Sequence, residues 1–215
     1  MGGVVQKTNP AGKPLTIAEV KSFLRIDFNE DDIFLITQLT MVTDVVEKYL
    51  RSALVSREYE LAIDSLPELE IPLREGTYVG AHMSYQRDYI DLPFSPVVSV
   101  ESIKTFDDDD TETTVASSTY IVDTFRKPAR VVLRNGNTWP NANREVNALI
   151  IRYTAGYGTA SQIPEAIRLA MLQLIAYSYE HRGDQMETAA PAIPESVQTL
   201  LRPYQMMSLG NRLGV

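Results

Sequence analysis

The fold is decided by residues 164–181, PEAIRLAMLQLIAYSYEH. Pro164 and Glu165 suit the first turn of a helix, because proline lacks an N–H that this turn leaves unpaired and a carboxylate stabilises the helix dipole. The residues that follow are apolar on nearly every face, so the helix lies either at the centre of the core or against a neighbouring subunit. The side chains that we expect at such a subunit contact are Leu169, Leu172, Ala176 and Tyr179.

Helices are also predicted at the N-terminal end of the chain. Thr16 and Glu19 form a capping box, in which each side chain accepts a hydrogen bond from an N–H that the first turn leaves free. A second helix follows Asp31 and reaches Leu50, because its apolar side chains recur at the 3.6-residue period. The chain therefore starts with two helices.

Between these helical ends the chain is predicted to form short strands. Tyr59, Leu61 and Ile63 alternate with Glu60 and Ala62, which is the period of a half-buried strand. Clusters of proline, glycine, asparagine and aspartate separate the further candidates. These candidates are residues 89–92, 97–106, 119–122, 129–133 and 147–153.

This order of helices, strands and helices predicts an α+β fold. We expect a small α-helical bundle formed by the N- and C-terminal helices, with an inserted β-strand unit. Residues 1–14 are then a flexible N-terminal arm, and residues 205–215 are a C-terminal docking tail. The bundle takes residues 15–54 and 159–204, and the β insertion takes residues 55–158.

The composition excludes several classes of chemistry. The 215-residue chain has no cysteine, so disulfide scaffolds, cysteine-ligated zinc, iron–sulfur clusters and thiol catalysis are excluded. Its two histidines, His82 and His181, leave almost no room for histidine-based metal sites or catalytic triads. No apolar run is long enough to span a membrane, and no leader pattern is visible, so we expect the chain in the cytoplasm when it is made.

The charge is uneven along the chain. The net charge is −8, which argues against a general nucleic-acid coat. Residues 1–110 carry 20 acidic and 10 basic side chains, whereas residues 111–215 carry 8 acidic and 10 basic ones. This asymmetry indicates either a molecule whose ends meet different surfaces or a few acidic loops that happen to lie early.

Two motifs contain residue types that can bind a cation or a phosphate group. Asp107–Asp110 places four carboxylates between predicted strands, which suits a solvated hairpin tip or, alternatively, a cation site. Gly156-Tyr157-Gly158 lacks the further residues of a phosphate-binding loop, so a plain turn is favoured. We predict no catalytic residue, no metal site and no cofactor, and we do not expect an enzyme. A small-molecule enzyme with a pocket near Trp139 and Tyr157 is the lesser alternative.

The C-terminal region is too apolar for a free, solvated terminus. A last helix is predicted to start near Glu195 and to be limited by Pro203. Methionine and tyrosine suit adaptable protein contacts, so this region either folds onto its own helices or docks on another protein. The candidate docking residues are Leu200, Leu201, Pro203, Tyr204, Met206, Met207, Leu209, Arg212 and Leu213.

Several sequence strings follow one another as they do in head–tail connector proteins (adaptors, or head-completion proteins) of long-tailed phages and phage-like particles. Each string is weak alone, but together they extend over residues 15–204, and the chain therefore resembles this family. The strings are Leu15–Lys21 with Leu24–Asp27, Asp32–Ile33 through Val46–Tyr49, Leu92–Val100, Tyr120–Asp123, Pro128–Val131, Trp139-Pro140, Tyr153–Gly158, Ile163–Ile167 with Tyr179–Arg182, and Leu200–Tyr204.

The resemblance implies a structural virion protein of the phage neck, at the capsid vertex, that serves viral genome packaging and DNA ejection. Such connectors form a homo-oligomeric ring of roughly twelve copies beneath the portal protein. The ring extends the DNA channel and provides the platform for the stopper or tail, while DNA passes without specific binding and no membrane takes part. Residues 67–88 look longer than the family's usual loop. The alternative is another ring protein of the neck, a stopper or tail terminator, although those are mainly β.

Within this family the candidate residues acquire roles. The apolar C-terminal side chains would bind the portal. Carboxylates on the inner surface of the ring would repel DNA phosphates and keep the genome from sticking. The candidate channel-lining residues are Asp27, Glu30, Asp31, Asp32, Asp107, Asp108, Asp109 and Asp110.

Overall fold

The computed structural model describes residues 3–64, 89–134, 137–140, 142–181 and 193–206. Helices and strands are both present, so the predicted α+β class is confirmed. His82 and the whole of the loop predicted over 67–88 lie outside the described residues. In chain order the elements are β1 (Gly3–Gln6), α1 (Ile17–Leu24), α2 (Asp32–Leu50), β2 (Arg57–Ile63), β3 (Tyr89–Leu92), β4 (Val97–Phe106), β5 (Glu112–Thr114), β6 (Tyr120–Asp123), β7 (Ala129–Leu133), β8 (Leu149–Ala155), α3 (Glu165–Glu180) and α4 (Glu195–Leu201).

Helix α1 begins at the predicted capping box. The Thr16 N–H donates to Glu19 Oε2 at 2.7 Å, and the Glu19 N–H donates to Thr16 Oγ1 at 3.2 Å. Helices α1 and α2 both end at an arginine in the left-handed conformation, Arg25 with φ 57° and Arg51 with φ 53°. Such a residue turns the chain out of the helix and lets its N–H bond to the last carbonyls.

The four helices share one hydrophobic cluster, called the helical cluster below. Helix α3 packs against α2, and the buried Ser178 hydroxyl donates to Gln38 Oε1 at 2.7 Å between them. This bond satisfies two polar groups that burial would otherwise penalise. Helix α4 packs on α3 and adds Val197 and Leu201 to the cluster. The inward face of α2, at the 3.6-residue period, is Leu35, Leu39, Val42, Val46 and Leu50.

The strands form two antiparallel sheets that share a second cluster, the sheet cluster. The larger sheet has the order β1-β2-β8-β4-β5, and the smaller has the order β3-β7-β6. Tyr59 stacks on Phe94 and on Tyr153, with ring centroids 4.7 and 5.8 Å apart. The Tyr153 hydroxyl donates to the Pro93 carbonyl at 2.8 Å, which allows this polar ring to be fully buried.

The N-terminal segment differs from the flexible arm predicted over residues 1–14. Gly3–Gln6 forms strand β1, which pairs antiparallel with β2, from Gly3 opposite Ala62 to Gln6 opposite Tyr59. An ion pair of 3.0 Å between Lys7 and Glu60 extends this contact. The prediction is wrong for these residues because their pairing partner lies more than fifty positions away and leaves no trace in the local pattern.

The two clusters meet where α2 leads into β2. Ser52 forms a parallel bridge with Ser95, and the Leu54 N–H donates to Glu47 Oε1 at 2.9 Å. The same carboxylate forms an ion pair with Arg57. Gly156, at the end of β8, donates its N–H to the Pro96 carbonyl at 2.8 Å and passes directly against the backbone of this connection.

Candidate interaction surfaces

Four of the predicted acidic residues lie in or beside the loop between α1 and α2. Asp27 and Glu30 are exposed to solvent. Asp31 accepts a hydrogen bond of 2.6 Å from the Tyr179 hydroxyl of α3, and Asp32 forms a 2.9 Å ion pair with Lys21. Two of the four carboxylates are therefore engaged within the chain, and the other two are available to a partner or to solvent.

The other four predicted acidic residues form the turn between β4 and β5. Asp107 Oδ1 accepts hydrogen bonds from the N–H groups of Asp109 and Thr111 at 3.1 and 2.7 Å, an arrangement that closes the hairpin. Asp110 forms a 3.3 Å ion pair with Arg144. Among the described residues, no group of acidic and histidine side chains is arranged to hold a metal ion. This turn has the geometry of the exposed hairpin tip that the sequence favoured.

The four residues predicted at a subunit contact are spread around α3. Leu169 is 40% exposed, and Leu172 and Ala176 are half-buried. Tyr179 packs edge-on against Phe34, with ring centroids 6.2 Å apart, and bonds to Asp31. Leu169 therefore faces solvent, whereas Tyr179 is used within the chain to hold α3 against α2.

The C-terminal candidates largely pack onto the chain itself. Leu201 is fully buried in the helical cluster, and Leu200 and Tyr204 are partly buried against it. The Met206 N–H donates to the Leu50 carbonyl at 3.1 Å, which anchors the chain at the C-terminal end of α2. Leu201 is thus a core residue in this fold, and Pro203 is exposed. The candidates Met207, Leu209, Arg212 and Leu213 lie outside the described residues.

A shallow groove of about 320 Å³ runs between α1, α3 and α4. Its apolar walls are Phe23, Ala176, Tyr177, Pro194 and Val197, and Glu180 lies at its edge. The Gln173 side chain also lines it, and among the described residues no group donates to the buried Gln173 Oε1. This surface, called the helical groove below, offers an apolar site with one unsatisfied acceptor. The sequence identified only Ala176 among these residues.

The turn between β6 and β7 projects an aromatic side chain into solvent. Phe125 is 103% exposed, and its N–H donates to Asp123 Oδ1 at 3.1 Å, which fixes the turn. Arg126 bonds to the Tyr89 hydroxyl at 3.1 Å, and Arg130 forms a 2.9 Å ion pair with Asp123. This ion pair and the Phe125 N–H hold the pKa of the Asp123 carboxyl below its usual value. Residues 123–128 are called the Phe125 tip below.

Further apolar side chains are exposed where α2 begins. Ile33 is 81% exposed, and Phe28 and Ile36 are 48% and 40% exposed. Large apolar groups that stay in water at one end of a molecule are typical of a protein contact. These three side chains were not among the predicted contact residues, although an outward isoleucine at the first turn of an otherwise regular helix was a signal for them.

The enzyme alternative gains no geometric support. Trp139 packs against the sheet cluster, whereas Tyr157 packs against the helical cluster. The structure therefore does not bring the two rings to one pocket. Burial raises the pKa of the Tyr157 hydroxyl, with the nearby Tyr204 as a second cause, and this keeps it neutral. None of the described helices is both long enough and apolar enough to cross a bilayer.

Comparison with known proteins gives one family and one fold. The model of the phage gp6-like head-tail connector protein family matches residues 14–127, more than half of the chain. A chain in the neck of an empty GTA particle, computed with C6 symmetry, superposes with a TM-score of 0.73 and 24% identity over 98% of this chain and 99% of that one.

Two further solved structures share the fold. A chain in the virion of the native gene transfer agent (GTA) particle gives a TM-score of 0.72 at 23% identity, covering 96% of both chains. A chain in the neck of the native GTA particle, computed with C12 symmetry, gives 0.71 at 23% identity, covering 98% of this chain and 99% of that one. No curated protein matches the sequence.

Proposed function

Because the chain belongs to the phage gp6-like head-tail connector family, we propose that it is a structural protein of the neck of a phage or phage-like particle. The family match carries this proposal. It is supported by the similarity in fold to chains of GTA necks and virions, which extends over nearly the whole length of both partners.

The protein acts in this proposal as one subunit of a closed ring. Neck structures computed with C6 and C12 symmetry contain chains of this fold, which is consistent with a ring of roughly twelve copies. Rotational symmetry of this kind requires each subunit to present two different surfaces to its two neighbours. The chain has such surfaces in the exposed Leu169 of α3, the helical groove and the Phe125 tip.

The ring would sit beneath the portal protein and provide the platform for the stopper or tail. In this arrangement the helices from both ends of the chain act as a bundle, with the strands as an insertion. Residues 207–215 and the exposed Pro203 make the contact with the portal, while Leu201 supports it from the core. The exposed apolar side chains at the start of α2, Phe28, Ile33 and Ile36, add a second partner surface.

The ring would also extend the DNA channel. The free carboxylates of Asp27 and Glu30, or those of Asp108 and Asp109 at the β4–β5 turn, would face DNA and repel its phosphates. All four side chains are exposed. Their neighbours Asp32 and Asp110, by contrast, form ion pairs with Lys21 and Arg144. DNA passes without specific binding in this proposal.

Electron microscopy of particles from producing cells tests the proposal. Cells that lack the gene should release DNA-filled heads without tails, and complementation with a chain carrying an added epitope should restore tails and an antibody label at the neck. Particles with normal necks and tails in the deletion strain, or complete particles without the chain, would overturn it.

A further inference from the structure

We propose that the Phe125 tip of one subunit inserts into the helical groove of the next copy of this chain. The inference deepens the proposed function, on which it rests, by naming the two surfaces that close the ring. A ring with one kind of subunit needs a surface and its complement on the same chain, placed on different sides. The tip lies on the three-stranded sheet, and the groove lies among α1, α3 and α4.

The tip has the form of a preorganised anchor. Phe125 is fully exposed, and the hydrogen bond of its N–H to Asp123 together with the Asp123–Arg130 ion pair fixes the turn from which it projects. Fixing an aromatic side chain before binding lowers the entropy that association costs, and aromatic residues are enriched at the centres of interfaces. An isolated phenylalanine on a rigid turn therefore favours a partner surface of apolar character.

The groove supplies that apolar surface and the complementary charge. Phe23, Ala176 and Tyr177 line it with apolar area. Glu180 lies at its edge, and Arg126 and Lys127 flank Phe125 on the exposed tip. Opposite charges at the rim of an apolar contact set its register.

Cross-linking in particles tests this pairing, because the chain has no cysteine of its own. The double variant Thr124→Cys with Ala176→Cys, which places a thiol on the exposed tip and keeps Phe125 in place, is treated with a short bismaleimide after particles are purified. We expect a ladder of covalent multimers, with a cross-linked fraction at least tenfold above that of the control pair Val98→Cys with Ala176→Cys, whose Val98 is 60% exposed on β4. A chain that is present in necks but gives no more cross-links than the control overturns the inference alone.

Single substitutions separate anchoring from folding. Phe125→Ala should reduce the amount of chain in particles at least tenfold without changing the melting temperature of the purified protein, whereas Phe125→Leu should retain most of it. Ile121→Ala, on the same hairpin and 45% exposed, serves as the matched control and should assemble normally. Normal assembly of Phe125→Ala overturns the inference. Absence of the unmodified chain from particles overturns the proposed function and this inference together.

Discussion

At the scale of single residues, Gly156 is the described glycine at which an added Cβ would meet backbone atoms. Its φ is +135°, and a Cβ added there would lie 2.6 Å from both the Cα and the N of Ser56. Both atoms belong to the backbone that joins the helical and sheet clusters, so no side-chain movement relieves the contact. The requirement for glycine arises from close approach and conformation together.

Substitution of Gly156 by alanine is therefore predicted to destabilise the protein by about 3 kcal/mol or more. Urea denaturation measures this change in the free energy of unfolding. Gly12→Ala is the control, since nothing lies within 4 Å of a Cβ at that position, and it should change stability by less than about 0.5 kcal/mol. Equal free energies of unfolding for Gly156→Ala and Gly12→Ala would contradict a requirement for glycine at position 156.

The Glu19 carboxylate makes the free energy of unfolding depend on pH in the acidic range. The backbone N–H of Thr16, and after it the Thr16 hydroxyl and Arg168, hold the pKa of Glu19 below the usual 4.5. A carboxyl with a lowered pKa contributes stability above its unfolded pKa, and this contribution is lost as the pH falls through the folded value. The pair is partly exposed, so solvent screens it and the contribution is at most about 0.5 kcal/mol.

Glu19→Gln should accordingly reduce the difference between the free energies of unfolding at pH 6 and pH 3. Glutamine carries no charge at any pH, but its side-chain oxygen still accepts the capping-box hydrogen bond. The substitution therefore removes the charge of residue 19 and keeps the cap. Glu165→Gln is the matched control, because Glu165 lies 3.8 Å from the same Arg168 on the exposed side of α3. An unchanged pH dependence in Glu19→Gln would show that the charge of Glu19 contributes nothing to stability.

At the scale of elements, α4 is held by two buried side chains, Val197 and, at its end, Leu201. Leu201 is fully buried, whereas Thr199, two residues before it, faces solvent. Helix α4 is only seven residues long, so packing and not intrinsic helix stability keeps it folded.

Leu201→Ala is predicted to lower the free energy of unfolding by about 2–4 kcal/mol, because it leaves a cavity between α4 and the other helices. Thermal or urea denaturation checks this, with Thr199→Ala as the control, expected to change stability by less than about 0.5 kcal/mol. A Leu201→Ala protein of full stability that fails only in assembly would restore Leu201 to the docking surface.

The elements that could be predicted from sequence are those that depend on neighbours in the chain. The capping box of α1 and the 3.6-residue period of α2 act within four residues, and the alternation in β2 acts within two. Strand β1 depends on a partner more than fifty residues away, and the helical groove combines α1 with α3 and α4. Such features follow from tertiary packing, which local pattern does not encode.

The candidate surfaces likewise divide into those that local sequence predicts and those that depend on tertiary packing. The exposed aspartates of the β4–β5 turn were predicted because charge alone places them in water. The buried position of Leu201 was not distinguished from that of a docking residue, because an apolar side chain near a terminus suits both. Phe125 was overlooked, since one phenylalanine between a threonine and an arginine has no periodicity to show which way it points.

At the scale of the whole molecule, the Met206 N–H joins the C-terminal segment to the end of α2 through its bond to the Leu50 carbonyl. The proposed docking role of residues 207–215 predicts that their deletion leaves the melting temperature within about 2 °C of that of the full chain. The deleted chain should nevertheless be lost from particles that contain the portal, as measured by immunoblot of purified particles.

A longer deletion, of residues 203–215, provides the comparison. It also removes Tyr204, which packs against the helical cluster, so it should lower stability as well as assembly. Normal incorporation of the chain that ends at Met206 would contradict the assignment of portal binding to the C-terminal residues, whatever the behaviour of the longer deletion.

The two clusters join distant parts of the chain, and this determines when the protein folds. The helical cluster combines residues 15–55 with residues 163–201, and the larger sheet places β8 between β2 and β4. Neither can close while its second half is still in the ribosome, and contacts so far apart in sequence form slowly. The sheet cluster therefore closes only after residue 155 has been made, and the helical cluster only after residue 201. A chain that terminates early lacks one side of its core and does not compete with full-length subunits for places in an assembly.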